Sequence, residues 1–223
     1  MGLDMYLYRA NLHGHSLRQA CLVENYLDLQ KWNADNPDKT YSLMEWCHQD
    51  PNEIQPQALQ DLEPEFKMGY AYWDTKKVYG HYRIFQSCGY WRKANAIHKW
   101  FVENVQNGVD DCDTYLVTRE QLEQLKEACE MVLSQVQTKD AKVQVGTQYN
   151  AKTGEVPIME DGKVIANPNV CAAMLPTQSG FFFGSTDYDE YYIQDLETTI
   201  KIITEVVEQT NWDVETIAYS SSW

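Results

Sequence analysis

The chain has 223 residues, of which 43% are hydrophobic, and 33 acidic against 18 basic side chains give it a net charge of −15. This content suffices for a packed core, and we expect a single domain over residues 1–223. The charge disfavours a long nucleic acid as partner, because a polyanion would lie across acidic surface. No signal peptide opens the sequence and no stretch approaches the ~18 apolar residues of a membrane span, so we expect a cytoplasmic protein without a membrane partner.

The first third of the chain predicts one strand followed by helices. Residues 2–9 alternate between apolar and polar in the manner of a core strand. Ser16 is a suitable N-cap for a helix that runs to about Trp32. Residues 33–65 hold Asn-Pro and Asp-Pro turns around a short helical piece, and we interpret them as an insertion or flexible lobe.

The middle of the chain predicts a hairpin and two helices. Residues 66–73 and 77–86 are rich in Tyr and β-branched side chains, which favours two strands joined at residues 74–76. Residues 90–105 predict a helix. Thr118 and Gln121 form the capping box of the next one, whose apolar residues recur at helical spacing.

The last third predicts a hairpin, a long helix and a closing strand. Residues 139–170 are polar and rich in turns, as expected of a hairpin excursion. Asp187 is the expected cap of a helix that ends near Gln209, and residues 214–219 predict a strand that pairs with the first. Together the patterns predict an α+β fold: a mixed or antiparallel sheet with about four to five helices in one compact domain.

Positive charge and aromatic rings are concentrated in residues 67–102. This window carries a net charge of +6, so the remainder of the chain carries −21, and an anionic ligand has one favourable place to bind. Ten aromatic residues are interleaved with the seven cations. Cations for phosphate and rings for a base are what nucleotide binding requires. Lys and Tyr on an exposed hairpin are also ordinary protection of an edge strand, and that interpretation stays open.

Two polar side chains fall on the apolar face of the helix predicted over residues 90–105. Asn95 and His98 share this face with Trp91, and each costs about 1–3 kcal/mol if it is buried without a partner. Either neighbouring backbone satisfies both, or a ligand does, with Trp91 stacking and Arg92 neutralising charge. The two cases differ in outcome. If His98 binds the ligand, His98→Ala abolishes binding with little loss of stability, and a structural histidine gives the reverse.

A second candidate segment covers residues 177–187. Gly180 and Gly184 would let backbone amides approach a ligand, and short polar side chains lie between Thr177 and Ser185. The segment matches neither G-x-G-x-x-G nor the P-loop, and a buried strand bounded by two turns is the alternative. The predicted ligand-binding set combines both segments with the hairpin and comprises Trp91, Arg92, Asn95, His98, Tyr82, Arg83, Gln178, Ser179 and Ser185.

Metal and nucleophile signatures are weak in this sequence. His13, His15 and the Cys47-His48 pair lack further ligands at zinc or iron spacing, and the acids at 110–113 lie outside any EF-hand pattern. There is no G-x-S-x-G motif. The six cysteines include no C-x-x-C pair, which favours free thiols. We therefore predict no catalytic residue, no metal and no cofactor.

Three segments carry a resemblance to known sequences: residues 2–7 (GLDMYL), 89–101 (GYWRKANAIHKWF) and 175–187 (LPTQSGFFFGSTD). With them, nearly the whole chain resembles a family of uncharacterised proteins encoded by bacteriophages and prophages. The resemblance implies a bacterial cytoplasm during infection as the setting. Phage accessory proteins in that setting often blunt host defence, and several unrelated families do so by sequestering cyclic nucleotides or ADP-ribose derivatives that serve as alarm signals.

The leading hypothesis is therefore a homo-oligomeric phage protein that binds and sequesters a small anionic nucleotide. One alternative is an enzyme, a phosphodiesterase or glycohydrolase with His98 as general acid or base, which turnover would reveal. Another is an acidic mimic of DNA that blocks a host protein. The mimic would capture a protein from host lysate, whereas a nucleotide binder would capture none.

Overall fold

The computed structural model describes residues 2–68, 83–150, 152, 154–180 and 182–223. The fold is α+β, as predicted, with helices packed beside antiparallel sheets. The described helices are α1 (Leu17–Asp35), α2 (Leu43–Cys47), α3 (Pro56–Met68), α4 (Asn95–Asn104), α5 (Arg119–Gln135), α6 (Asn169–Met174) and α7 (Glu190–Gln209), with a 3-10 turn at Pro51–Glu53. The described strands are β1 (Asp4–Ala10), β2 (Gln86–Arg92), β3 (Tyr115–Val117), β4 (Thr138–Asn150), β5 (Gly154–Ile165) and β6 (Thr216–Ser222).

The strands form a four-stranded sheet of order β2-β1-β6-β3 and the separate two-stranded hairpin β4-β5. The chain divides into two compact units. The first comprises residues up to Leu7, Gly89–Gln209 and Tyr219–Trp223, and the second comprises Tyr8–Cys88 and Thr210–Ala218. The single domain expected from the sequence stays a prediction. No helix in the described part of the chain is long and apolar enough to cross a membrane.

The second unit is built on α1. Ser16 caps this helix as predicted, since its side chain accepts a hydrogen bond from the Gln19 amide. Apolar residues of α1 and α3 share one core with Ile84 and Phe85, and Leu22 and Leu29 of α1 pack with Leu43 of α2. The predicted short helix around residues 42–48 is confirmed as α2. Most of the segment interpreted as an insertion is thus helical and packed on α1.

Glu24 is a buried acid on the core side of α1. Its side chain is only 8% exposed, and its Oε1 has no hydrogen-bond partner among the described residues. Burial raises the pKa of Glu24 to about 8, and the nearby charge of Arg83 offsets only part of this rise. Ionisation of the buried Glu24 side chain therefore destabilises the folded state at alkaline pH.

We expect Glu24→Gln to stabilise the protein at pH 8.5 and to have little effect at pH 4. Because the folded pKa lies above the unfolded one, the stability that protonation gives is complete below the unfolded value and is lost as the pH rises toward 8. The melting temperature of the variant should exceed that of the wild type by about 5 °C at pH 8.5. An equal shift at both pH values would contradict burial of the charge as the cause.

The first unit holds α4 to α7 and the β4-β5 hairpin. Thr118 and Gln121 form the predicted capping box of α5, and Leu196, Ile203 and Val206 line the buried face of α7. The predicted hairpin excursion is confirmed, because β4 and β5 pair antiparallel from Thr138↔Ile165 to Asn150↔Gly154. The Asp161-Gly162 pair lies within β5 and is not a turn.

Three predicted boundaries are wrong. Residues 66–68 do not open a strand, because α3 continues to Met68; residues 69–82, and with them most of the predicted hairpin, lie outside the described residues. The helix predicted over 90–105 is two elements, since β2 continues to Arg92 and α4 begins only at Asn95. The cap of α7 is Asp189, whose Oδ1 accepts hydrogen bonds from the amides of Tyr191 and Tyr192, rather than Asp187.

Candidate functional site

A cavity of about 730 Å³ lies in the first unit. Its walls come from the turn between β2 and α4, the loop over residues 177–187, the first two turns of α7 and the middle of β4. The volume lies within the range of about 300–1,000 Å³ that is typical of small-molecule sites. The cavity brings together residues that are about a hundred positions apart in the sequence.

Two cations converge at this cavity. A Cβ on Gly2 would lie 3.6 Å from Cε of Lys93 and 3.9 Å from a guanidinium nitrogen of Arg92, so both side chains reach the same point. Both are exposed, and both contribute to the cavity wall. Neither forms an ion pair with a described residue. Their positive charge is therefore available to a ligand.

The other described cations of the basic window are already paired. Lys67 contacts Glu63, and Lys99 lies 3.8 Å from Glu103, each one turn away along its helix. Arg83 belongs to the second unit and lies 3.4 Å from Asp28. Lys76 and Lys77 lie outside the described residues. Within the described part of the window, the positive potential of the sequence thus reduces to Arg92 and Lys93.

The turn that presents these cations has an unusual backbone. Lys93 adopts a left-handed conformation with φ of 61°, and its amide donates to the Leu3 carbonyl at 2.8 Å. The amide of Asn95 donates to the carbonyl of Lys93 at 2.8 Å, which closes a three-residue turn around Ala94. Helix α4 therefore starts without a side-chain cap. Gly184 fits closely beside this turn, because a Cβ there would lie 3.2 Å from that of Lys93.

Asn95 fixes the loop that forms the facing wall. Its amide nitrogen donates to the carbonyls of Phe183, at 3.2 Å, and of Ser185, at 2.8 Å. Its Oδ1 accepts a hydrogen bond from the backbone amide of Gln178 at 3.0 Å. With three bonds to the loop and only 4% exposure, Asn95 positions the wall through protein contacts. Of the two interpretations of Asn95, the structure therefore shows the one in which neighbouring backbone groups satisfy its hydrogen bonds.

Phe182 occupies the strained tip of this loop. It is 48% exposed at the cavity wall and has a φ of 64°, a conformation that bulky side chains rarely adopt. Its carbonyl accepts a hydrogen bond from the Leu3 amide at 3.4 Å. Strain of this kind costs on the order of 1–3 kcal/mol and is concentrated at ligand sites. The neighbouring Phe183 is buried, and its ring fills the space where a Cβ on Gly180 would lie, so Gly180 serves packing.

The start of α7 and the residues just before it form an acidic wall. Asp187, Asp189 and Asp195 all border the cavity. Burial, together with the charge of Asp189, raises the pKa of Asp195 to about 7. The pKa of Asp189 is also raised by burial, and its Oδ2 has no hydrogen-bond partner among the described residues. The cavity is thus polarised, with cations on one wall and carboxyl groups on another.

His98 lies in a buried chain of hydrogen bonds. Its Nδ1 is 2.8 Å from the hydroxyl of Tyr219, and its Nε2 is 3.1 Å from the Oδ2 of Asp110. Burial lowers the pKa of His98, although the Asp110 charge opposes this, and it raises the pKa of Tyr219 well above its ordinary value. The arrangement fits a Tyr219 hydroxyl that donates to a neutral imidazole, which donates in turn to the Asp110 carboxylate. His98 is 0% exposed and does not reach the cavity.

The remaining predicted site residues are dispersed. Trp91 is buried, with its indole nitrogen donating to the Thr199 hydroxyl at 2.9 Å, so its ring is closed to a base. Ser185 borders the cavity, whereas Gln178 and Ser179 lie on the same loop outside its lining. Tyr82 lies outside the described residues. Of the predicted set, the cavity unites Arg92, Asn95 and Ser185.

Sequence reasoning missed Lys93, Phe182 and Asp195 at the cavity. Lys93 falls within the helix predicted over residues 90–105, whereas α4 begins two residues later, at Asn95. Phe182 carried a weak signal, since a run of three phenylalanines between glycines is unusual in a loop. Asp195 carried none, because its environment depends on the packing of α7.

Comparisons with known proteins give no relative: no protein-family model, no curated protein and no solved structure matches this chain. Within the described residues, no group of three or more His, Cys, Asp or Glu side chains is placed to hold a metal ion. The carboxyl groups of the acidic wall can accept hydrogen bonds. The arrangement of the cavity can bind an anion at Arg92 and Lys93 and accept hydrogen bonds from ligand hydroxyl or amino groups at the other wall.

Proposed function

We propose that this protein binds and sequesters a small anionic nucleotide in the cavity of the first unit. The observation that carries the proposal is the convergence of Arg92 and Lys93, without counter-ions among the described residues, at a cavity of ligand size. Because the whole chain has a net charge of −15, these two cations form an unusually favourable place for a phosphate to bind. The role in countering bacterial defence during phage infection, and a homo-oligomeric assembly, belong to the same proposal.

The polarity of the cavity narrows the class of ligand. A plain polyphosphate would meet the carboxyl groups of Asp187 and Asp195 with like charge. A nucleotide carries ribose hydroxyls, which donate hydrogen bonds, beside its phosphate. Such a ligand matches cations on one wall and hydrogen-bond acceptors on the opposite one.

A panel of cyclic nucleotides, ADP-ribose and ADP tests the proposal by calorimetry, followed by heating of the complex and mass spectrometry of what is released. Intact ligand in the supernatant supports sequestration, which requires tight binding and slow release. If no anion of the panel binds, the proposal is wrong. Light scattering of the free and bound protein checks the assembly.

Removal of either cation should weaken binding. Because hydrogen bonds between charged groups contribute about 1.5–3 kcal/mol, we expect Arg92→Gln and Lys93→Gln each to lower the affinity at least about tenfold. The matched control is Arg119→Gln on α5, which removes the same charge from an exposed pair with Glu123. Equal losses in all three variants would attribute the effect to net charge and would contradict a site at Arg92 and Lys93.

Asp195 favours a second candidate function, hydrolysis of the same kind of ligand. A carboxyl group with a pKa of about 7 exists in both protonation states near neutral pH, which is what a general acid or base requires. This role would fall to Asp195 rather than to His98, which is buried away from the cavity. In that case the released ligand would be altered, and Asp195→Asn would retain binding while abolishing turnover.

A further inference from the structure

Two tyrosine rings lie on the strand face that also carries Arg92. Tyr90 and Arg92 are two residues apart on β2 and are both exposed, so they project from the same side of the sheet. Tyr6 lies on β1, the neighbouring strand, and its ring centroid is 5.3 Å from that of Tyr90 with 43° between the ring planes. Tyr90 is 43% exposed. An open aromatic surface therefore adjoins one of the two cations of the cavity.

The orientation of the Tyr90 ring is fixed before any ligand arrives. Its hydroxyl donates to Oδ1 of Asp4 at 2.5 Å, and this bond, together with burial, raises the pKa of Tyr90. The ring also packs against the tilted ring of Tyr6. A ring held at both ends loses little conformational entropy when a flat group stacks on it.

The position of Arg92 decides which flat group fits. Arg92 is close enough to both tyrosines to influence their hydroxyl groups electrostatically, and it also borders the cavity beside Lys93. A ligand that reaches from the cavity past Arg92 must therefore combine an anionic part with an aromatic part. Among small metabolites, this combination is characteristic of nucleotides, whose base stacks on aromatic side chains with about 1–3 kcal/mol per base.

We propose that Tyr6 and Tyr90 form the platform on which the base of the nucleotide stacks while Arg92 and Lys93 hold its phosphate. The inference rests on the proposed function and adds to it where the base lies. It also makes Tyr90 a determinant of specificity, because a phosphate compound without a base could not use the platform.

The test compares ADP with inorganic pyrophosphate, which carries the same pair of phosphates and no nucleoside, by calorimetry on the full chain. We expect the wild type to bind ADP about tenfold more tightly than pyrophosphate. Tyr90→Ala should weaken the binding of ADP alone, so that the two affinities become about equal. Tyr90→Phe retains the ring and should keep most of the preference. Tyr149→Ala on β4, which removes a more exposed tyrosine from the same unit, is the control and should change nothing. In the complex, the adenine protons should shift upfield in the NMR spectrum, and Tyr90→Ala should abolish this shift.

The outcomes separate the two proposals. Equal binding of ADP and pyrophosphate, or a preference for ADP that survives Tyr90→Ala, overturns the platform and leaves the anion site intact. Loss of the preference in Tyr149→Ala as well would also overturn it. Failure of both probes to bind the wild type removes the anion site, and with it the platform.

Discussion

Asn95→Ala should destabilise the first unit and open the cavity wall. The change leaves the Gln178 amide and the carbonyls of Phe183 and Ser185 without the partner that Asn95 provides, at a position that is only 4% exposed. Since each buried unpaired group costs about 1–3 kcal/mol, we expect a loss of about 3 kcal/mol after relaxation. The melting temperature should fall by roughly 10 °C. Affinity for the ligand should fall with it, because the loop that carries Phe182 loses its anchor.

The matched control is Asn104→Ala at the end of the same helix. Asn104 is exposed, and its side chain donates one hydrogen bond to the Trp100 carbonyl within α4. This variant should melt within about 2 °C of the wild type. Asn95→Asp separates donation from acceptance, since it keeps the acceptor for Gln178 and turns a carboxylate toward two carbonyls. It should be at least as unstable as Asn95→Ala, and wild-type stability of either variant would refute the anchoring role.

His98→Ala should destabilise the first unit at least as much as Asn95→Ala. It removes both hydrogen bonds of a side chain with 0% exposure and the edge contact of its ring with Phe183, whose centroid is 5.3 Å away. It also leaves the Tyr219 hydroxyl buried without its imidazole partner. We expect a loss of about 3–5 kcal/mol and a fall in melting temperature of more than about 10 °C, measured at pH 7.5.

The same substitution has a defined pH dependence. Because burial depresses the pKa of His98 in the folded state, the stability that its neutral form gives is present above about pH 6.5 and declines as the pH falls below that value. The difference in melting temperature between wild type and His98→Ala should therefore narrow between pH 7.5 and pH 5. At temperatures below its melting transition, the variant should still bind the ligand at the cavity. If the variant instead keeps wild-type stability but loses binding, His98 contacts the ligand.

The local sequence signals predicted the capped elements well. Ser16, Thr118 and the alternation of residues 2–9 each encode their structure within a few positions. Helices α1 and α5 begin directly after their caps, and β1 covers Asp4–Ala10, close to the predicted range. The single helix predicted over residues 90–105 was wrong because apolar residues there fit both a strand period and a helix period. Trp91 points inward from a strand while Tyr90 and Arg92 point outward, but Trp91 also fits the apolar stripe of a helix. The break at Lys93 is unmarked, since lysine is not a usual residue at positive φ.

The candidate site was predictable only in part, because its partners are distant in sequence. The sequence required that buried Asn95 and His98 be hydrogen-bonded, and both are. Their partners lie 83 to 90 residues away for Asn95, and the Tyr219 partner of His98 lies 121 residues away. No local pattern identifies such partners. The same holds for Arg83, because its partner Asp28 is distant in the sequence and removes it from the positive surface.

The contact between the Leu3 amide and the Phe182 carbonyl has a consequence for biosynthesis. Leu3 thereby holds Phe182, which borders the same cavity as side chains of α7 near position 195. On a translating ribosome, the turn that carries Arg92 and Lys93 emerges before α7 has been synthesised. The nascent polypeptide therefore cannot bind its ligand until α7 has left the exit tunnel. Closing so large a loop is also slow, and we expect competence for binding to be among the last properties that the refolding protein regains.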